Sequence, residues 1–100
     1  MSELNQDIRL FIEEAIDDCL SKPLEEYEKR SKQLASIGIE PNLETVLSYI
    51  SGLIMGAVAA YTVIEEFDDE EIDKHMKATR ELLERRAWEL REAFSRARFT

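Results

Sequence analysis

Glu71 and His75 stand four residues apart, which puts an acid and an imidazole on neighbouring turns of one helix, where they could share a metal ion. Around them Glu65, Glu66, Asp68, Asp69, Glu70, Glu71 and Asp73 crowd a nine-residue stretch, and that many carboxylate oxygens could hold a divalent cation. Cys19 is the one thiol. Farther along, Lys77, Arg80, Arg85, Arg86, Arg91, Arg96 and Arg98 are interleaved with Trp88, Phe94 and Phe99, the chemistry of a surface for nucleic acid or an acidic partner.

Each of these has a plainer reading. The acidic run lacks the glycine-containing, Asp/Asn-rich loop of a calcium hand; Asp68 with Glu71 three residues on reads as a helix capping box, and the remaining acids favour the positive end of the helix dipole. Di-iron bundles combine Glu-x-x-His with glutamates on facing helices. Here the segment Thr45–Ile64 offers no carboxylate, and the acids of the first helix lie opposite its apolar arc. One chain therefore cannot assemble an interior ligand set. A metal-dependent, all-helical nucleotide hydrolase would need Glu65, Glu66 and Asp69 of two chains to meet at an interface. His75 reads as a boundary packing residue, and a single histidine leaves little for acid–base work at neutral pH. Cys19, beside Asp17, Asp18 and Leu20 in an apolar arc, reads as a small buried hydrophobe. No catalytic, cofactor or metal residue is assigned.

The basic tail is broken by Glu81, Glu84, Glu89 and Glu92, and a helical wheel spreads its arginines around the axis. Salt-bridged solubility, or contact with the chain's own acidic half, accounts for it. The formal net charge of −9 and pI near 4.6 also argue against a sequence-independent grip on DNA or RNA. A nucleic-acid-associated adaptor using this tail is the last of the functional alternatives.

The elements that must position these residues are helices. The chain reads as one domain, 1–100. With two prolines and three glycines it has few breaks, and no alternating β-branched run signals a strand. Leu4, Ile8, Phe11, Ile12, Ala15, Ile16 and Cys19 recur at helical spacing over about Ser2–Leu20, with an N-cap within Ser2–Asn5. Pro23 suits the first turn of a second helix to about Ile37, carrying Leu24, Tyr27, Ser31, Leu34 and Ala35, with Gly38 as its left-handed terminator. Asn42 caps a third helix, about Leu43–Glu66. A fourth runs from Asp68 to about Ala97, with Ile72, Met76, Thr79, Leu83, Ala87, Leu90 and Phe94 on its inner stripe. The expected fold is all-α: an antiparallel four-helix bundle with a fully apolar third helix at its centre.

That third helix contains twenty residues, Thr45–Ile64, without a formal charge in a chain that is 35% charged. Twenty such residues could span a bilayer, and Gly52-x-x-x-Gly56 is a spacing that lets membrane helices touch. Against a span stand its two Ser, two Thr and two Tyr, its acidic flanks, and the absence of Lys or Arg between Lys32 and Lys74. The N-terminal MSELNQDIRL does not read as a signal peptide, and the lone cysteine gives no hint of secretion, so a cytoplasmic protein is expected.

At 100° per residue the helix has two apolar faces. Ser48, Gly52, Met55, Gly56, Ala59 and Val63 form a face of mostly small side chains; Val46, Ile50, Leu53, Ile54, Ala57, Tyr61 and Ile64 form a bulkier one. The four helices measure roughly 28, 22, 36 and 44 Å, so a monomer would be a thin three-layer stack that leaves much of the third exposed. The expectation is a homodimer that closes the gap. The function expected is that of a small, non-catalytic assembly or interaction protein acting on itself or a protein partner. Gly52, Gly56 and Ala59 would carry the close contact, with Tyr61 and Trp88 as aromatic anchors.

Overall fold

The computed structural model describes residues 5–98. They form four helices and, among the described residues, no strand: α1 (Gln6–Ser21), α2 (Pro23–Ser36), α3 (Leu43–Ile64) and α4 (Asp69–Arg98). The four pack against one another as an all-α bundle.

Local chemistry fixes the helix ends. Asn5 caps α1, its side chain accepting from the N–H of Asp7 at 2.7 Å and of Ile8 at 3.4 Å. The expected start near Ser2, and Leu4 with it, fall outside the described residues. Pro23 opens α2, where its missing N–H costs nothing. The chain leaves α2 through Gly38 at φ +83°, with Ile39 N–H donating to Leu34 O and Gly38 N–H to Ala35 O, a Schellman closure. Asn42 and Thr45 form a reciprocal capping box on α3, and Asp68 and Glu71 form another on α4. The end of α3 repeats the Schellman pattern, Phe67 N–H to Thr62 O and Glu66 N–H to Val63 O. Here the left-handed residue is Glu66, at φ +57°, so a side chain sits where glycine would be free of strain.

α3 and α4 form a long antiparallel hairpin. At one end Phe67, in the turn, packs edge-on to Tyr61 at 6.3 Å and against His75 at 5.0 Å. At the other, Arg91 of α4 forks onto both carboxylate oxygens of Glu44. α1 lies along this hairpin, its Ile8 and Phe11 beside Ala57, Val58 and Tyr61, and its Asp17 accepting from Arg86 at 3.0 Å. α2 covers the far end, with Tyr27 edge-on to Phe94 at 5.8 Å and Arg30 set 6.0 Å from the Tyr49 ring.

The core joins Ile8, Ile12, Ile16 and Cys19 of α1 and Tyr27 and Leu34 of α2 to Val46, Ile50, Ile54 and Val58 of α3 and Leu82, Leu83, Leu90 and Phe94 of α4. Thr62 and Thr79 are buried too, their hydroxyls donating to Ala59 O and His75 O, both at 2.7 Å. The molecule measures 44 × 29 × 16 Å. Sixteen ångströms holds two helix layers at the usual spacing of about 8–10 Å, one fewer than the expected stack. α4 lies along nearly all of α3, and α1 and α2 cover the hairpin from one side only.

Candidate interaction surface

The one-sided cover makes α3 a helix of two unlike faces. Val46, Leu47, Ile50, Ile54, Val58 and Thr62 are buried. Gly52, Leu53, Gly56, Ala57, Ala60, Val63 and Ile64 are exposed, Val63 and Ile64 at 68% and 77%. The buried arc is rotated from the expected bulky face toward α4. It takes in Leu47, Val58 and Thr62, while Leu53, Ala57 and Ile64 stay open to solvent. The reason is layering: α4 follows α3 throughout, and α1 and α2 lie on one side of that hairpin, so the opposite edge stays uncovered.

Ser48, Gly52, Gly56 and Val63 of the small face lie together on the open side, with Met55 and Ala59 half-buried along its edge. A Cβ placed on Gly52 or Gly56 would meet nothing within 4 Å. Glycine in a helix interior costs about 1 kcal/mol relative to alanine, and no approach inside this chain compensates either one. The two aromatic anchors are elsewhere. Tyr61 turns into its own chain against Phe67 and the α1 groove, where desolvation, then Glu65 and Asp7, raise its pKa. Trp88, 64% exposed on α4, lines a separate groove with Leu20, Glu89, Ala93 and Arg96.

The open face does not stop at the helix. At its N-terminal end a groove of about 410 Å³ runs between Ile37, Ile39, Thr45, Ser48 and Tyr49, with Leu34 in its floor and Glu44 as the one charged residue of its lining. Ile37 is 69% exposed. At the other end a groove of about 280 Å³ joins Phe11 of α1 to Ala57 and Tyr61. Ile37 and Ile39 were not singled out from sequence, although the signal was present: two β-branched apolar residues flank the glycine of a turn that solvent would make polar. Ile39 sits where a Schellman closure brings a hydrophobic residue back onto the helix, and it lines the groove with Leu34.

α3 is the one helix among the described residues long and apolar enough to cross a membrane, at a mean hydropathy of 1.7. Length and composition alone say that much; core helices of bundles pass the same test when mostly buried, and 28% of this apolar window is buried. Its polar surroundings are acidic at one end. Glu65, Glu66 and Asp69, the carboxylates a shared hydrolase site would use, are exposed at the α3–α4 turn. Among the described residues no three His, Cys, Asp or Glu side chains are grouped to hold a metal ion. His75 donates from Nδ1 to the Glu71 carbonyl at 2.7 Å and packs on Phe67. Cys19 is buried, and its thiol is pushed up to about 11, chiefly by burial and then by Glu26, so it is a thiol and not a thiolate at neutral pH.

Three of the tail arginines, Arg86, Arg91 and Arg96, are engaged within the chain, while Phe99 lies outside the described residues. Arg86 bonds Glu89 at 2.8 Å as well as Asp17, Arg91 forks onto Glu44, and Arg96 pairs with Glu92. The hydrogen bonds from Arg91 and Arg86 hold the Glu44 and Glu89 carboxyls below their usual range. No family model, curated protein or solved structure matches the chain.

Proposed function

We propose that the protein is a small, non-catalytic assembly protein whose chemistry is self-association through the open face of α3. The observation that carries this reading is the exposed Gly52–Leu53–Gly56–Ala60–Val63 face, apolar over the C-terminal half of α3 and without a partner inside the chain. Large apolar patches on proteins in water mark interaction sites. Two glycines at this spacing let a second backbone approach closely, a use their position inside the monomer does not provide. The occupant is a second copy, because the face is self-complementary in size and has no charge that would select a different partner. The acidic turn and the arginine tail then supply solubility and intramolecular fastening.

Sedimentation across a concentration series tests the reading. The wild type should pass from monomer to dimer as concentration rises. Gly56→Leu, which has room in the monomer, should overpack the interface by about 1–3 kcal/mol and move the transition to higher concentration by roughly one order of magnitude or more. A wild type that stays monomeric at high concentration would remove this function, as would a Gly56→Leu variant that associates unchanged.

A further inference from the structure

We infer that the two copies meet antiparallel across α3, about a two-fold axis level with Ile54, each inserting Val63 into the Ile37–Ile39–Ser48 groove of the other. This rests on the self-association reading and specifies its geometry. Two observations converge on it, and a third sets the level of α4.

The first is shape. Gly52 and Gly56 lie equally far on either side of residue 54, which is also the middle of Leu43–Ile64. In an antiparallel pair centred there, Gly52 of one copy faces Gly56 of the other, and both close approaches fall at the crossing. Nine residues from the centre in one direction stands Val63, projecting and 68% exposed. Nine residues in the other stands Thr45, in the wall of the 410 Å³ groove with Ile37 and Ile39. A knob and a hole at equal distances from one point are what an isologous contact requires, since each copy must offer both. A parallel pair would set Val63 against Val63 and groove against groove.

The second is charge. One end of the α3–α4 hairpin carries Glu65, Glu66, Asp68, Asp69, Glu70 and Asp73, with Lys74 bonded to Glu70. The other end is balanced: Arg91 forks onto Glu44, Arg96 pairs with Glu92, and Arg30 with Glu26. A parallel pair stacks the acidic end on itself. An antiparallel pair lays it over the end whose charges are already balanced, which avoids that repulsion, and opposes the helix dipoles as well.

The third is the neighbour that travels with α3. Arg91 opposite Glu44, and His75 beside Phe67 and Tyr61, place residue 81 of α4 level with residue 54 of α3. Antiparallel pairing about that level brings Glu84 of one copy to the height of Lys77 or Ala78 of the other, and Arg91 to the height of Glu71. The same pairing sets Lys77 level with Arg85 and Asp73 level with Glu89, so the charges of α4 do not choose the orientation and α4 serves to place position 81 on the axis.

Pulsed electron–electron distance measurements on the full chain decide the geometry. Spin labels are attached in a Cys19→Ala background at Glu65→Cys or at Glu81→Cys, both exposed positions, and sedimentation establishes the dimer in each sample. Antiparallel pairing about residue 54 separates the two labels at position 65 by 22 helical residues, about 33 Å. It gives a clearly shorter distance for the labels at position 81. Parallel pairing brings the labels at 65 to about one interhelical spacing, roughly 10 Å. A long distance at 65 with a short one at 81 supports the inference. Any other ordering in a dimeric sample overturns the antiparallel geometry and leaves self-association standing. A sample that never dimerises, labelled or not, overturns the self-association reading itself.

Discussion

Along α3, Val46, Ile50, Ile54 and Val58 are closed over by the other three helices, while Gly52, Gly56, Ala60 and Val63, on the far side of the same turns, face outward. Both sets are apolar, so hydrophobicity does not separate them. What separates them is reach: the other helices close over one arc and leave Val63, with the small residues beside it, uncovered. The large β-branched side chains fill a core, and each carries roughly 1.5–3 kcal/mol of burial. The glycines and alanines carry little burial of their own and matter only for how near another backbone can come. One face stabilises the chain; the other is the face proposed to stabilise a contact between chains.

The largest effect that could break this contrast is on the covered face. Ile54→Ala leaves a cavity in the core that Ile54 shares with Ile12, Val58 and the α4 leucines, or forces its collapse, and large-to-small changes of this kind cost about 2–5 kcal/mol. Chemical denaturation should show a loss in that range, the same at low and high protein concentration. A loss under 1 kcal/mol would mean that the two faces do not differ as drawn.

The open face should respond with the opposite sign. Gly52→Ala adds a methyl group that meets nothing within 4 Å and removes glycine's cost, so the dilute monomer should gain about 1 kcal/mol. At concentrations where the dimer forms, the methyl group crowds the crossing and the gain should shrink, because association stabilises the folded chain by mass action. Denaturation at two concentrations tests this. An equal gain at both would show an open helix surface with no partner.

Much of this contrast can be read from residue order, and its limits have physical causes. Asn42, Gly38 and the Asp68–Glu71 pair mark their helix ends because each supplies a hydrogen bond or a backbone angle that few residues can. The α1, α2 and α4 stripes are legible because polar residues flank them, although Leu82 joins the core from beside the expected stripe, and Phe11 and Leu24 remain largely exposed. On α3 periodicity loses its power. With no charge between Thr45 and Ile64, nothing in the sequence says which apolar arc turns inward; the one-sided packing of α1 and α2 decides it. Nor does sequence reveal that Glu66 adopts a left-handed conformation, since the requirement arises only once Phe67 is drawn back onto Thr62.

Glu66 offers a smaller probe of where the open face ends. A non-glycine residue in the left-handed region costs about 1–2 kcal/mol, and glycine gives part of that back through its freer unfolded chain. Glu66→Gly should therefore raise stability by about 0.5 kcal/mol and leave the association of α3 nearly unchanged, since residue 66 lies beyond the apolar face. A loss of stability would show that the Glu66 side chain supports the turn in a way the strain argument omits.

The smallest effect expected is on acidification. Within Thr45–Ile64 the open face carries no carboxylate, so mild acid should reach it only through its rim, where Glu44 holds Arg91. Arg91 lowers the folded pKa of Glu44 from 4.5, and Arg86 does the same for Glu89. The sign follows from that depression. Above the unfolded carboxylate pKa both forms are ionised and the pairing contributes fully; as pH falls through the lower folded value the contribution disappears. Stability should thus hold constant near neutrality and decline only below about pH 4.5. Glu44→Gln keeps the shape but cannot titrate, so its acid limb should be shallower than that of the wild type, with Glu89 still contributing. Both side chains at the Glu44–Arg91 pair are exposed and solvent weakens their attraction, so the difference should be small and should narrow further in high salt. An unchanged slope in Glu44→Gln would mean that this fork does not hold the edge of α3, and that the boundary between its faces is set by packing alone.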